Sequence, residues 1–125
     1  MEKQLKAIIA KNNLGFIGIG NKLLWTNKED LKHFKNLTMN TTCLVGYNTF
    51  QELPKLLNRT LLVDERNNYR FDWDFCIGGK KTYEKYCPYF TELHISHIDN
   101  NDIGDVTFPD LKYLNPECKI FNYYF

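Results

Sequence analysis

No segment of this sequence approaches the length and apolarity of a membrane span. The apolar run after the charged start Met1 to Lys6 is only four residues long, so no secretory leader is expected and the chain reads as cytoplasmic. Charge of one sign is missing too. Sixteen basic residues face fifteen acidic ones, and a net charge of +1 gives no electrostatic case for nucleic acid or an anionic membrane. Cysteine is sparse: Cys43, Cys76, Cys87 and Cys118 show no C-x-x-C spacing, and three lie in apolar runs, which predicts reduced, mostly buried thiols. Histidine is as scattered. His94 and His97 are three apart in a strand-like segment, so they point to opposite faces, and no metal site is expected. Neither G-x-G-x-x-G nor a P-loop occurs, so the usual dinucleotide and nucleotide folds are not supported. There is no internal repeat, low-complexity stretch or linker.

What is present is ordinary in bulk and specific in order. A chain of 125 residues, 43% hydrophobic and 25% charged, forms one domain with a single core. Leu5 to Ala10 reads as a short strand buried on both faces. Thr41 to Val45 is a second strand, followed by a short helix from Tyr47 to Leu53 that must stop at Pro54. Thr60 to Val63 and Phe75 to Ile77 are further strands, separated by a polar loop from Asp64 to Asp72. A helix from Lys80 to Tyr86 ends before Pro88, and Leu93 to Ile98 is a fifth strand. Turn-rich Asp99 to Asp110 follows. The tail from Lys119 to Phe125 is read as a last strand, because an exposed IFNYYF invites aggregation. Alternating strand and helix predict an α/β fold around a largely parallel central sheet, where ligands bind at strand-to-helix junctions.

The most informative stretch runs from Gly15 to Lys35, a glycine-punctuated loop leading past Trp25 into an amphipathic helix. Thr26 and Glu29 have capping-box spacing, which predicts Thr26 as the N-cap. Leu31, Phe34 and Leu37 recur at three-residue steps and predict a narrow buried stripe, and Asp30 falls on the same face. A first-turn carboxylate commonly complements the helix dipole. The other reading is a pocket carboxylate that binds a cationic or amide-like edge, and spacing alone leaves both open.

Two junctions stand out for anion binding. Val45-Gly46-Tyr47 and Ile77-Gly78-Gly79-Lys80-Lys81 each run from strand through glycine into a helix start, where free backbone N–H groups can face phosphate. A lone Gly-Gly is more often a turn than a phosphate site, but two such starts in one small domain favour a dinucleotide lying across them.

Six motifs in one register carry a family likeness: Ile17-Gly18 with Leu23 and Trp25, Glu29 to Phe34, Val45 to Phe50, Arg59-Thr60, Ile77 to Tyr83, and Gly104 to Pro109. Over about residues 5 to 110 the chain resembles dihydrofolate reductase. The resemblance implies a single dihydrofolate-reductase-like domain over residues 1–125, with a mixed, mostly parallel sheet flanked by helices and trimmed at one edge. It implies hydride transfer from NADPH to dihydrofolate, giving tetrahydrofolate for one-carbon and thymidylate metabolism. Asp30 matches the carboxylate that holds the pterin, with Trp25 and Tyr83 as its catalytic companions. Proton delivery falls to a nearby water, the carboxylate favouring the protonated ring. Ile8, Ala10, Leu31, Phe34, Leu53, Arg59, Ile77 and Ser96 match substrate-binding positions, Arg59 taking the folate tail carboxylate. Ala10, Ile17, Gly18, Asn21, Leu23, Gly46, Asn48, Thr49, Arg66, Gly78, Gly79, Lys80, Lys81 and Thr82 match cofactor-binding positions. Gly15 to Leu23 corresponds to a mobile loop that closes over the cofactor.

The chain also departs from that pattern. Leu24 replaces the proline before the tryptophan, Thr26-Asn27-Lys28 replaces another at the helix start, and Tyr47 stands where a basic residue is expected. Asp64 and Glu65 fall beside the expected ribose phosphate, offset by Arg66 and Lys81, so use of NADH beside NADPH is an expectation to test. Only nine residues separate Arg66 from Cys76, where the family has a further strand and helix, and the segment after Pro109 is trimmed. Reduced cofactor affinity with an intact pterin pocket is expected, and a monomer is expected ahead of a dimer. A structural or assembly protein of the same family is the alternative. A related reductase acting on a ribosylated pyrimidine is disfavoured by Arg59 and by the Trp25-to-Asp30 spacing.

Overall fold

The computed structural model describes residues 3–17 and 25–125. Its strands are β1 (Lys6–Asn12), β2 (Thr42–Val45), β3 (Thr60–Val63), β4 (Phe75–Cys76), β5 (Glu92–Ile98) and β6 (Lys119–Tyr124). Its helices are α1 (Lys28–Thr38), α2 (Tyr47–Glu52) and α3 (Lys80–Tyr86), the last running into a 3₁₀ turn at Cys87–Tyr89. The strands form one sheet in the order β3-β2-β4-β1-β5-β6, and every pair among them is parallel. Among the described residues, antiparallel pairing is confined to two isolated bridges, Lys11 with Ile17 and Phe16 with Thr107. The expected mostly parallel α/β sheet is therefore what forms.

Alternation along the strands divides the interior in two. Ala7, Ile9, Leu44, Cys76, Leu93 and Ile95 face α3 and join Trp73, Tyr86 and Phe90 in the main core. Ile8, Cys43 and Phe75 face the other way, where Phe34 and Leu37 of α1 pack on them. Crossing from β5 to β6 takes residues 99–118 with no regular helix; instead Val106, Phe108, Leu111 and Leu114 pack on the main core. Across the shortened segment between β3 and β4, Trp73 is fully buried and its Nε1 donates to Arg70 O at 2.6 Å. Tyr69 and Phe71 meet Tyr86 and Tyr89 edge to face.

Two features of α1 differ from expectation. The N-cap is Asn27, not Thr26: its side chain accepts from Asp30 N at 2.9 Å. Helical backbone begins one residue later than the capping-box spacing implies, which puts the Asn27 amide oxygen opposite the third orphan N–H. The predicted buried stripe is only half covered as well. Leu31 is 47% exposed and Phe34 and Leu37 are partly buried, because this face of the helix overhangs a cleft instead of the core.

Candidate active site

The cleft opens where the C-terminal ends of β1 and β4 diverge from α1. Its floor is Ile8, Ile9 and Ala10 from β1, with Ile77 just past β4 and Ser96 from β5. Asp30, Leu31 and Phe34 form one wall; Thr49, Leu53, Pro54 and Leu56 form the wall opposite. Gly78, Gly79 and Tyr83 close the end. Apart from the Asp30 carboxylate, the lining is mostly apolar or hydroxylic, so a flat aromatic ligand finds contact on both faces and one ionised edge.

Burial raises the pKa of Asp30 above the ordinary carboxylate value, with the Ser96 hydroxyl, the Trp25 indole and His33 pulling the other way. Ser96 Oγ is enclosed without a hydrogen-bond partner among the described residues, so its influence on the carboxylate is that of a nearby dipole. Burial also lowers the pKa of His33, one turn along α1. Tyr83 is buried, its hydroxyl donates to Ile8 O at 2.6 Å, and burial raises its pKa well above that of free tyrosine. It therefore stays a neutral donor at the cleft end.

Beside the cleft the Arg59 guanidinium lies over the Phe34 ring at 5.9 Å. Its Nε and Nη1 are buried with no hydrogen-bond partner among the described residues. Two buried donors on one planar cation match a carboxylate.

The glycine junctions converge. Gly46 caps α2 and Gly79 caps α3, neither with a side-chain cap bond, and Gly46 N donates to Gly78 O at 2.7 Å. The Gly78-Gly79 peptide is cis. A Cβ added at Gly46 would lie 2.5 Å from Thr82 Oγ1 and 3.6 Å from Gly79 N, so glycine is required for the two helix starts to approach this closely. Side by side they offer first-turn N–H groups to a pyrophosphate. Lys81 is exposed there, whereas Lys80 Nζ is held on Thr107 Oγ1 at 2.8 Å.

Several expected residues stand elsewhere. Trp25 is buried beside the cleft and borders a separate polar recess with Asn27 and Asp99. Ile17 is a core residue whose N donates to Val106 O at 2.8 Å. Asn48 and Arg66 are exposed outside the cleft. Gly18, Asn21 and Leu23 lie outside the described residues, as does most of the expected closing loop. Conversely, the sequence patterns do not point to Pro54 and Leu56, since Pro54 reads only as a helix stop. Among the described residues no three His, Cys, Asp or Glu side chains gather as a metal site, and no helix is long and apolar enough to cross a membrane.

Comparison with known proteins gives a consistent pattern. A family model described as dihydrofolate reductase matches residues 4–74. The chain is 34% identical over 133 residues to dihydrofolate reductase type 5 of Escherichia coli, covering 89% of this chain and 83% of that protein. It is 32% identical over 128 residues to the dihydrofolate reductase of Mycoplasma genitalium, covering 81% and 80%. Among solved structures, dihydrofolate reductase from Enterococcus faecalis complexed with NADP(H) and RAB-propyl superimposes with a TM-score of 0.75 at 27% identity, covering 88% of this chain and 79% of that one.

Proposed function

Because the chain belongs to the dihydrofolate reductase family, we propose that it reduces 7,8-dihydrofolate to 5,6,7,8-tetrahydrofolate at the expense of NADPH. The observation that carries this reading is the half-buried Asp30 carboxylate in an apolar cleft whose far end meets two glycine-opened helix starts. Asp30 accepts two parallel N–H bonds from the amino-pyrimidine edge of the pterin, a match no single neutral side chain provides. Ile8, Ala10 and Ile77 support the ring from below, and Leu31, Phe34 and Leu53 enclose it. Arg59 pairs with the carboxylate of the substrate tail. Ser96 and Trp25 steady the Asp30 carboxylate, and its negative charge favours the ring nitrogen in its protonated form.

Bound NADPH supplies the hydride. Gly46, Asn48, Thr49, Gly79, Lys81 and Thr82 hold its phosphates, with Lys80 and Arg66 at the margins. Gly78 and Tyr83 bound the ring end. The protein acts as one domain, as a monomer, in the cytoplasm.

The test is loss of NADPH absorbance with dihydrofolate, repeated for Asp30→Asn. The expected fall in kcat/KM for the variant is about 10²- to 10³-fold. No turnover by the wild type overturns the reduction reading. An undiminished Asn variant removes Asp30 from the mechanism.

A further inference from the structure

Asp64 and Glu65 at the end of β3 are acidic residues in a region that has to accept a phosphorylated ribose, and their side chains resolve the conflict. Asp64 follows β3 directly, its N donating to Val45 O at 2.8 Å. Its carboxylate is turned into the protein with 8% exposure: Oδ2 accepts from Lys85 Nζ at 2.9 Å, and Oδ1 accepts from the Tyr86 hydroxyl at 2.7 Å. Lys85 Nζ also donates to Glu65 O at 2.8 Å and Asn68 O at 2.6 Å, so all three ammonium donors are used. Glu65 Oε2 accepts from Asn68 Nδ2 at 2.9 Å. Arg66 and Lys81 are left exposed.

The sheet order sets where this cluster stands. The cleft lies over β1 and β4, the two helix starts follow β4 and β2, and β3 is next outward. A dinucleotide with its nicotinamide in the cleft and its pyrophosphate on Gly46 and Gly79 therefore extends its second ribose toward the end of β3. We propose that Lys85 is a positioning residue for cofactor choice: it withdraws Asp64 from the ribose end, so that Arg66 and Lys81 present net positive charge and select a ribose bearing a phosphate. This rests on the NADPH reading above and deepens it. It also removes the ground for expecting NADH use, because the carboxylate best placed for a free ribose hydroxyl is already neutralised.

The experiment measures Kd for NADPH and for NADH by tryptophan fluorescence quenching, with turnover on dihydrofolate followed alongside. The chains compared are wild type, Lys85→Met, Asp64→Asn and the double variant. Lys85→Met leaves a negative charge facing the ribose end, and the preference for NADPH falls about tenfold, chiefly through the NADPH Kd. Asp64→Asn raises the preference severalfold, and the double variant returns to near the wild-type ratio. A Lys85→Met protein that stays folded with an unchanged ratio overturns the proposal. So does an equal weakening of both cofactors that the double variant does not reverse. Should Lys85→Met not fold, Asp64→Asn decides, and an unchanged ratio there is fatal. An unchanged ratio with NADPH turnover intact sinks this proposal alone. A wild type that binds and discriminates NADPH but does not turn over sinks the reduction reading alone. Binding of neither cofactor sinks both.

Discussion

Neighbouring residues of β1 enter two different environments. Ala7 and Ile9 join a core with Trp73, Tyr86, Phe90 and the β5–β6 crossover, whereas Ile8 between them joins the smaller cluster of Cys43 and Phe75 under Phe34 and Leu37 and borders the cleft. One face of the sheet is sealed by α3, by the segment between β3 and β4 and by residues 99–118. Among the described residues the other is covered by α1, whose Leu31 and Phe34 remain partly uncovered, and bordered by Thr49, Leu53, Pro54 and Leu56. The difference teaches that stability and chemistry are assigned to opposite sides of the same strands. A small domain has little core to spare, so leaving one face open requires the other to carry most of the buried apolar area. Substitutions should therefore separate cleanly by face.

The largest expected effect is on the sealed side. Trp73 is fully buried, packs edge to face on Tyr86 and Phe90, and donates its indole N–H to Arg70 O. Trp73→Ala should cost about 3–5 kcal/mol, a large part of the stability of a domain this size. Denaturant unfolding measures it. A loss below about 1 kcal/mol would break the comparison, because the segment that stands in for the missing strand and helix would then not be sealing anything.

How much of this division the sequence discloses follows from periodicity. Strand positions and the strand-to-helix junctions are legible because alternation and glycine punctuation are local signals, and β3 and α3 form over the predicted spans. Asp30, Phe34, Ile77 and Ser96, which the family likeness marks for substrate, line one cleft. Trp73 is not legible as a core residue: it sits between two aspartates in a segment with no period, and only the docking of that segment against α3 buries it. The cap of α1 is misread for a related reason, since Thr26 and Asn27 are both good caps and spacing cannot choose between adjacent candidates. Lys85 is invisible as well. Its partners Asp64, Glu65 and Asn68 are far from it in sequence and meet it only across the fold.

A smaller effect separates the two cap candidates on the open side. Asn27→Ala should cost about 1 kcal/mol, a drop in Tm of roughly 3–5 °C, while Thr26→Ala should stay within about 0.5 kcal/mol. The donor that Asn27 satisfies is the amide of Asp30 itself, so the Asn27 variant should also raise KM for dihydrofolate. Thermal melts paired with steady-state kinetics check both. The reverse ranking would return the cap to Thr26.

The smallest change in stability carries the most diagnostic sign. Burial raises the pKa of Asp30 in the folded chain above its unfolded value. Between those two values the native state binds more protons than the unfolded state, so stability falls as pH rises through that window, and above it the ionised carboxylate is a constant destabilising charge. Asp30→Asn removes that charge and keeps the shape. Its Tm should therefore exceed the wild-type Tm at pH 8, and the gap should narrow as pH falls toward 4, where the carboxyl of the wild type is increasingly protonated. The same substitution is the one expected to abolish most of the activity. Melts of both proteins across that pH range decide the matter. A variant that is less stable at pH 8 would mean that the dipole of α1 and the Ser96, Trp25 and His33 neighbours outweigh burial, and the open face would then be built to stabilise its carboxylate instead of tolerating it for binding.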